Sequence, residues 1–353
     1  MSTVTLGGPI NSALTHFALY GLADIAATRF GHGVSLGWTV EQEPQAWVDV
    51  PAASPEEIAQ AVLDAASTDA PRNWSSVQVS YSSKTVASPF SPRIKAIDTD
   101  KHPEVWVRHQ KAREDALDAL TNAGDLADLR FLSALGEASY WHIANNSRQP
   151  DRGASRWEMK TRNRGEEFVS QRYEPLCREL STWSTDQVLD GLTGRALRDP
   201  LGKNKQDSRS STGFARPAPA DNAVVFCALR GIAEFPLAHR VSRINATPGA
   251  WPDYVLHPRS MMLPVPTAPI TLSRLRSVVV SRQLAMLHEF SMSVQEKKDD
   301  AEVAVSPLEA DAAKAWLTTR RCGAVILFPI LKTGSSTAPE RQVLDGEVIL
   351  NVG

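Results

Sequence analysis

The stretch from Ala13 to Ala27, ALTHFALYGLADIAA, carries apolar residues at helical spacing behind the turn-forming Gly7-Gly8-Pro9. A segment of this kind has to be buried, so the rest of the chain must be organised around a helix with Leu14, Phe17, Leu22 and Ile25 in the core. His16 within it reads as a packed, hydrogen-bonded residue. Alternation in 34–40 and the run 46–50 predict two strands joined by a polar turn. Pro55 to Ala66 predicts a helix, with Ser54 as N-cap, Pro55 at its first position and Glu56 and Glu57 in its first turn. Residues 73–103, rich in Ser, Thr and Pro, predict an irregular segment with short strands, a candidate mobile loop. Segments 104–122 and 126–141 predict a helical pair. Further on, 199–220 reads as a long surface loop, 222–232 as an apolar helix, 270–285 as a strand or helix bearing Arg274, Arg276 and Arg282, and 307–321 as a helix. Residues 324–331 read as a strand, with 347–352 as its partner. No repeat at solenoid periods is present. The fold class expected is α+β: mixed helices and short strands with a long basic loop region.

With 353 residues, 42% hydrophobic and 22% charged, the chain has the composition of a folded soluble protein of two domains or one large one. No apolar run approaches the roughly 20 residues that span a bilayer, and no secretory leader is recognisable, so a cytoplasmic location is expected. Cys177, Cys227 and Cys322 are odd in number and far apart, which predicts reduced, buried thiols rather than a disulfide framework or zinc site. The net charge of −2 hides an asymmetry. Residues 1–147 carry 10 Lys and Arg against 17 Asp and Glu, residues 148–282 carry 21 against 13, and residues 283–353 carry 7 against 10. The chain therefore divides into an acidic N-terminal region (1–147), a basic region (148–282) and a C-terminal helix-strand region (283–353), which need not be separate domains. A basic middle between acidic ends suits a protein with one face on phosphate and others on protein, although solvated helix faces also collect arginine.

Two stretches concentrate the candidate binding residues. In RQPDRGASRWEMKTRNRGEEF (148–168), Arg152, Arg156, Lys160, Arg162 and Arg164 would meet phosphates, Trp157 would stack on a base and Asn163 would read a base edge. The structural alternative pairs the cations with Glu158, Glu166 and Glu167 and places Trp157 in the core. In 202–209, Lys203, Asn204, Lys205, Gln206 and Arg209 stand beside Gly202, whose backbone freedom permits close approach to a groove. An enzymatic alternative also exists. Pro150-Asp151 with Glu158 and Lys160 spells a PD-D/ExK-like pattern of metal-dependent nucleases, but this stretch is poor in strand formers. The eight histidines show no HExxH or HxH spacing, and no GxGxxG, GxxxxGK[ST] or GxSxG occurs. No catalytic residue, metal or cofactor is therefore assigned.

Several long blocks carry a resemblance: TLGGPINSALTHFALYGLADIA, PDRGASRWEMKTRNRGEEF, VLDGLTGRALRD with GKNKQDSRSSTGFARPAPADNA, TPGAW, and FPILKTGSSTAPERQVLDGEV. Across nearly the whole chain they resemble the smaller large-subunit family of type I-U (also called I-G) CRISPR effector complexes. The resemblance implies a non-catalytic large subunit of a Cascade complex near the 5′ handle of the guide RNA. Such a subunit inspects the short motif beside the target (PAM recognition), helps open the duplex and docks the helicase-nuclease, while guide pairing carries sequence specificity. The implied partners are guide RNA, target double-stranded DNA, the backbone and handle-binding Cascade subunits, and the helicase-nuclease. The chain is short for a large subunit, which puts a helical C-terminal part in doubt, and the binding residues named above rest on composition, not on the family. The competing functions are the metal-dependent nuclease and a purely architectural subunit that touches only protein.

Overall fold

The computed structural model describes residues 2–67, 74–92, 94, 97–157, 168–208, 213–295, 305–334 and 339–351. Their elements run β1 (Ser2–Thr5), α1 (Ala13–Phe30), β2 (Ser35–Trp38), β3 (Ala46–Val50), α2 (Pro55–Ala66), β4 (Val79–Ser82), β5 (Thr85–Ala87), α3 (Pro103–Ala123), α4 (Leu126–Leu135), β6 (Ile143–Ala144) and β7 (Ser147–Arg148). They continue with α5 (Glu174–Leu180), α6 (Thr185–Leu192), α7 (Asn222–Arg230), β8 (Ala250–Trp251), β9 (Ser260–Pro266), α8 (Leu272–Val279), α9 (Arg282–Gln295), α10 (Pro307–Thr319), β10 (Cys322–Gly334), β11 (Pro339–Val343) and β12 (Glu347–Asn351). The fold is α+β, as expected.

Helix α1 is the axis of the structure: residues 15–26 are all buried, and its main neighbour is α7. Two glycines set that close crossing. A Cβ on Gly21 would lie 1.8 Å from the Cys227 carbonyl oxygen, and one on Gly231 would lie 2.1 Å from the Phe17 carbonyl oxygen. Phe17 stacks against Phe214 and Phe235, with ring centroids 4.0 and 4.8 Å away. Full burial of side chains of this size contributes roughly 1.5–3 kcal/mol each.

Strands β1, β3 and β2 form an antiparallel sheet in that order beside α1 and α2. Helix α2 has the bounds the sequence predicts, and Ser54 and Glu57 close a capping box at its start. The second sheet is ordered β11-β10-β9-β8. The long β10 also pairs β12 on its other side, with a bulge between Val325 and Ile326. One core takes residues from all three charge segments, among them Val4, Phe17, Trp157, Phe226 and Phe328. A second core lies between β9, β10 and α8–α10, and a third joins the β4–β5 hairpin to α3.

Three differences from the sequence reading have local causes. The helix expected over 126–141 stops at Leu135, because Gly136 takes φ +79 and packs so tightly that a Cβ would lie 2.2 Å from the Gly153 carbonyl oxygen. The stretch 270–285 divides into α8, capped by Thr271, and the start of α9. Strand β9 and helices α5 and α6 have no counterpart among the predicted elements; β9 is buried at every position and so shows no alternation.

Candidate nucleic-acid interface

The block beginning at Arg148 opens on the β6–β7 hairpin, whose Asn145 and Asn146 take left-handed φ of 51° and 55°. Arg148 donates to the Tyr140 carbonyl at 3.0 Å and pairs with Asp100. A single 3-10 turn, Pro150–Gly153, holds the half-buried Arg152, whose carbonyl accepts from the Asn245 N–H at 3.0 Å. Arg156 and Trp157 are then 1% exposed. The Arg156 guanidinium donates to the carbonyls of Leu256 (3.1 Å), Asp151 (3.0 Å) and Ala154 (2.7 Å). Trp157 donates from Nε1 to the Pro248 carbonyl at 3.1 Å and packs against Phe17 and Phe235.

The expectation that Arg156 meets phosphate and Trp157 meets a base is therefore overturned. Irregular chain turns several carbonyls inward here, and a buried carbonyl needs a donor; a guanidinium can satisfy three at once. Trp157 as core, the structural alternative, is what the structure has. The block TPGAW is its partner: Thr247 Oγ1 accepts from the Arg156 N–H at 3.0 Å, Pro248 receives the indole, and Gly249 sits at φ +75 beneath it. Lys160, Arg162, Asn163 and Arg164 lie outside the described residues, as does Arg209.

The second stretch is organised differently. Asp199 is fully buried, and its carboxylate accepts from the Gly202 N–H (2.9 Å), the Ser208 hydroxyl (2.5 Å) and the Asn222 amide (3.1 Å). The Asp199 N–H donates to Asn204 Oδ1 at 2.7 Å, and the Asn204 N–H returns to the Asp199 carbonyl at 2.8 Å. Lys203 and Asn204 take left-handed φ of 57° and 49°. Gly202 has no room for a side chain, since a Cβ would lie 1.9 Å from Ser208 Oγ. The result is a tight ring with Lys203, Asn204, Lys205 and Gln206 exposed on its outside. Among the described residues neither lysine has an ion-pair partner. Asn204 has a part in building the ring, so of the two amides expected to read bases only Gln206 is uncommitted to the loop's own geometry.

The stretches 148–157 and 199–208 are held by different parts of the chain, the first by 245–256 and the second by the start of α7. Flanking residues tie the ring down: Asp190 pairs with Arg195 (3.0 Å) and Arg198 (3.3 Å), and Asp221 caps α7 while accepting from the Arg198 N–H at 2.8 Å.

Part of the charge asymmetry is cancelled by ion pairs within the molecule. Arg148 pairs with Asp100, Arg216 with Asp345, and Arg230 with Asp128 and Asp24, so cations of the basic segment meet carboxylates of the acidic ones. The densest of these clusters was not anticipated. Asp24 of α1 and Glu234, both essentially buried, are surrounded by Arg130 of α4, Arg230 of α7 and Arg276 of α8. Arg276 holds Glu234 at 2.7 Å, and Trp74 donates to Asp128 at 2.8 Å. Burial, reinforced by the neighbouring Asp24, raises the Glu234 pKa. A single Asp in the apolar run of α1 is the one sequence signal that pointed toward this cluster, since a charge that deep has to be paired.

Several groups of a kind used in catalysis are buried and committed to packing. Ser260 Oγ lies 2.7 Å from His288 Nε2, but both are buried, Met292 Sδ is 3.4 Å away and burial lowers His288 to a pKa of about 3. His16 likewise bonds the Ile10 carbonyl through Nε2 at 2.7 Å, and burial lowers it to about 4. The three cysteines are free and buried. Asp151 stands on the 3-10 turn and not on a strand, while Glu158 and Lys160 lie outside the described residues. Among the described residues no three His, Cys, Asp or Glu side chains are grouped to hold a metal, and no helix is long and apolar enough to cross a membrane. No protein-family model, no curated protein and no solved structure matches the chain.

Proposed function

We propose that the chain is a non-catalytic nucleic-acid-binding subunit, the large subunit of a type I-U CRISPR Cascade complex working in the cytoplasm. In this reading it contacts guide RNA and target DNA, shares in flanking-motif recognition and duplex opening, and docks neighbouring Cascade subunits and the helicase-nuclease. The observation that carries the nucleic-acid part is the pinned ring at 199–208. A solvated connector has no need of a buried carboxylate with three donors, two left-handed residues and a glycine too crowded for a Cβ. Such a scaffold holds Lys203, Lys205 and Gln206 in a fixed outward arrangement, which lowers the ordering cost of binding a phosphate backbone or groove. The Cascade assignment is supported by the resemblance of the sequence blocks.

The test has two parts. Expressed with its neighbouring gene products, the chain should co-purify with RNA and require no divalent metal to retain it. Replacing Lys203 and Lys205 together with alanine should weaken binding of all duplex targets and reduce the slope of log affinity against log salt by about two, one for each lost phosphate contact. Protein without RNA, together with an unchanged slope in the folded double variant, would leave the architectural reading in its place.

A further inference from the structure

The small sheet is closed on one edge and open on the other. At the outer edge of β2, Leu36 and Ile270 exchange both backbone hydrogen bonds, at 3.0 and 3.1 Å. At the opposite edge lies β1, which among the described residues pairs with β3 alone. Backbone groups alternate in direction along an antiparallel strand. Because the Leu6 N–H donates to the Ala46 carbonyl at 2.9 Å, the register turns Ser2, Val4 and Leu6 toward β3 and Thr3, Thr5 and Gly7 away from it. The outward N–H of Gly7 is taken by the Leu192 carbonyl at 2.7 Å. Those of Thr3 and Thr5 border a cleft of about 450 Å³, walled by Pro55 and Glu56 of α2 and by Thr193 and Arg195 after α6.

Natural sheets blunt an exposed edge by keeping it short, by covering it, or with lysine, proline or a bulge. The β1 edge is short and flanked by α2 and the segment after α6, but Ser2-Thr-Val-Thr5 carries no lysine, proline or bulge. The walls decide what fits beside it. A second copy of this chain would bring its own α2 and α6 walls against the cleft, whereas a lone extended segment would slide between them. Its charges are set by the two ends. Ser2 stands opposite Val50, one short turn before α2, so Glu56 lies toward the Ser2 end; Gly194 packs against Gly7, so Arg195 lies toward the other. Arg195 is well exposed and bonds Asp190 through Nε, leaving guanidinium donors free for a second carboxylate. Glu56 is exposed, and hydrogen bonds at the α2 N-terminus hold its carboxyl below the usual carboxylate range.

We propose that the β1 edge is a strand-addition site for an extended segment of a partner protein. The segment runs antiparallel to β1, pairs with Thr3 and Thr5, and carries a carboxylate at its start against Arg195 and a cation at its end against Glu56. The interaction does not rest on the nucleic-acid reading above, because Thr3, Thr5, Glu56 and Arg195 are none of the proposed nucleic-acid contacts.

Two synthetic peptides of about eight strand-forming residues, one with Glu near its start and Lys near its end and one with that order reversed, serve as probes against the full chain. The first should bind more tightly, by about threefold to tenfold, the range of exposed charge pairs. The double variant Glu56→Lys with Arg195→Glu should invert the preference. On binding, the amides of Thr3 and Thr5 should gain protection from hydrogen exchange, while those of Val4 and Leu6 are protected from the start. Thr5→Pro, which deletes an outward N–H and leaves the β3 ladder its donors, should abolish binding. Equal affinity for both peptides, an uninverted preference in the folded charge-swap variant, or no new protection at Thr3 and Thr5 overturns the proposal. So does a concentration-dependent dimer that protects those two amides by itself.

Discussion

Gly21 of α1 meets the Cys227 carbonyl of α7 at a separation that admits no side chain: a Cβ there would stand 1.8 Å from the oxygen. Alanine in a helix is favoured over glycine by about 1 kcal/mol, so on propensity alone Gly21→Ala would stabilise α1. The contact is with backbone, which cannot rotate away, and overpacking of this kind costs about 1–3 kcal/mol or more. The clash wins. Gly21→Ala should lower the unfolding free energy by on the order of 2 kcal/mol, and Gly231→Ala, opposed by the Phe17 carbonyl, should do the same. Urea titration of the two variants checks both, and an unchanged midpoint would show that the helices part at little cost.

Arg156 is predicted to be a stability residue. Arg156→Met removes the guanidinium donor from the buried Ala154 carbonyl and one of two donors from the part-buried Leu256 and Asp151 carbonyls, which keep Arg341 and the Ala154 N–H, and should cost roughly 1–3 kcal/mol. Lysine should not rescue it, because a point-like ammonium cannot reproduce the guanidinium fork that reaches Leu256, Asp151 and Ala154 together. The thermal midpoint should fall in both variants, while the salt slope of nucleic-acid binding, measured below that midpoint, stays at the wild-type value.

Which parts of the molecule were legible in the sequence follows from how far each signal reaches. Local chemistry was legible: Ser54, Pro55 and the paired glutamates gave α2 its bounds, and the apolar spacing of Leu14, Phe17, Leu22 and Ile25 gave a helix that is in fact the core's axis. His16 was legible as a packed residue for the same reason. Arg156 and Trp157 were misread because residue type alone does not say whether a cation faces water or inward carbonyls; the answer lay in Thr247 and Pro248, some ninety positions away. The ring at Lys203–Gln206 was legible as a loop, but its rigidity was not, since that depends on Asp199 finding Ser208 and Asn222 at once. The charge asymmetry was real in the sequence and partly cancelled in space, where Arg148, Arg216 and Arg230 find carboxylates from the acidic segments.

Asp199 offers a way to separate charge from arrangement in the candidate interface. Asp199→Ala removes the carboxylate that the Gly202 N–H, the Ser208 hydroxyl and the Asn222 amide share, so the ring should open and the Gly202 amide should lose protection from exchange. Lys203 and Lys205 keep their charges. Affinity for duplex targets should therefore drop through lost preorganisation while the salt slope stays near wild type, the opposite signature to removal of the two lysines. Hydrogen exchange and a salt titration on the same variant read the two effects separately.

The last prediction concerns acid. Burial lowers His16 and His109 to pKa values of about 4 and His288 to about 3, well below the 6.5 of an unperturbed imidazole. In the unfolded chain these rings gain protons as pH falls through 6.5, whereas in the folded chain they stay neutral until about pH 4. Between those limits the unfolded state binds more protons, so stability rises with pH and is lost on acidification. Glu234 has the opposite sign: its raised folded pKa contributes stability that is present in acid and lost as pH climbs through it. His142, lowered by burial, acts with these rings, and Asp221, raised by burial, acts with Glu234; the lowered rings outnumber the raised carboxyls and leave a net loss of stability below about pH 6.5. Each ring accounts for at most about 1.4 kcal/mol per pH unit. His288→Gln, which keeps a hydrogen-bonding partner near Ser260, should flatten the acid limb by up to that amount, and Glu234→Gln should steepen it. Unfolding free energies measured by urea from pH 7 to 4.5 test both signs; an acid limb that His288→Gln leaves unchanged would mean that this ring takes up its proton over the same pH range folded as unfolded.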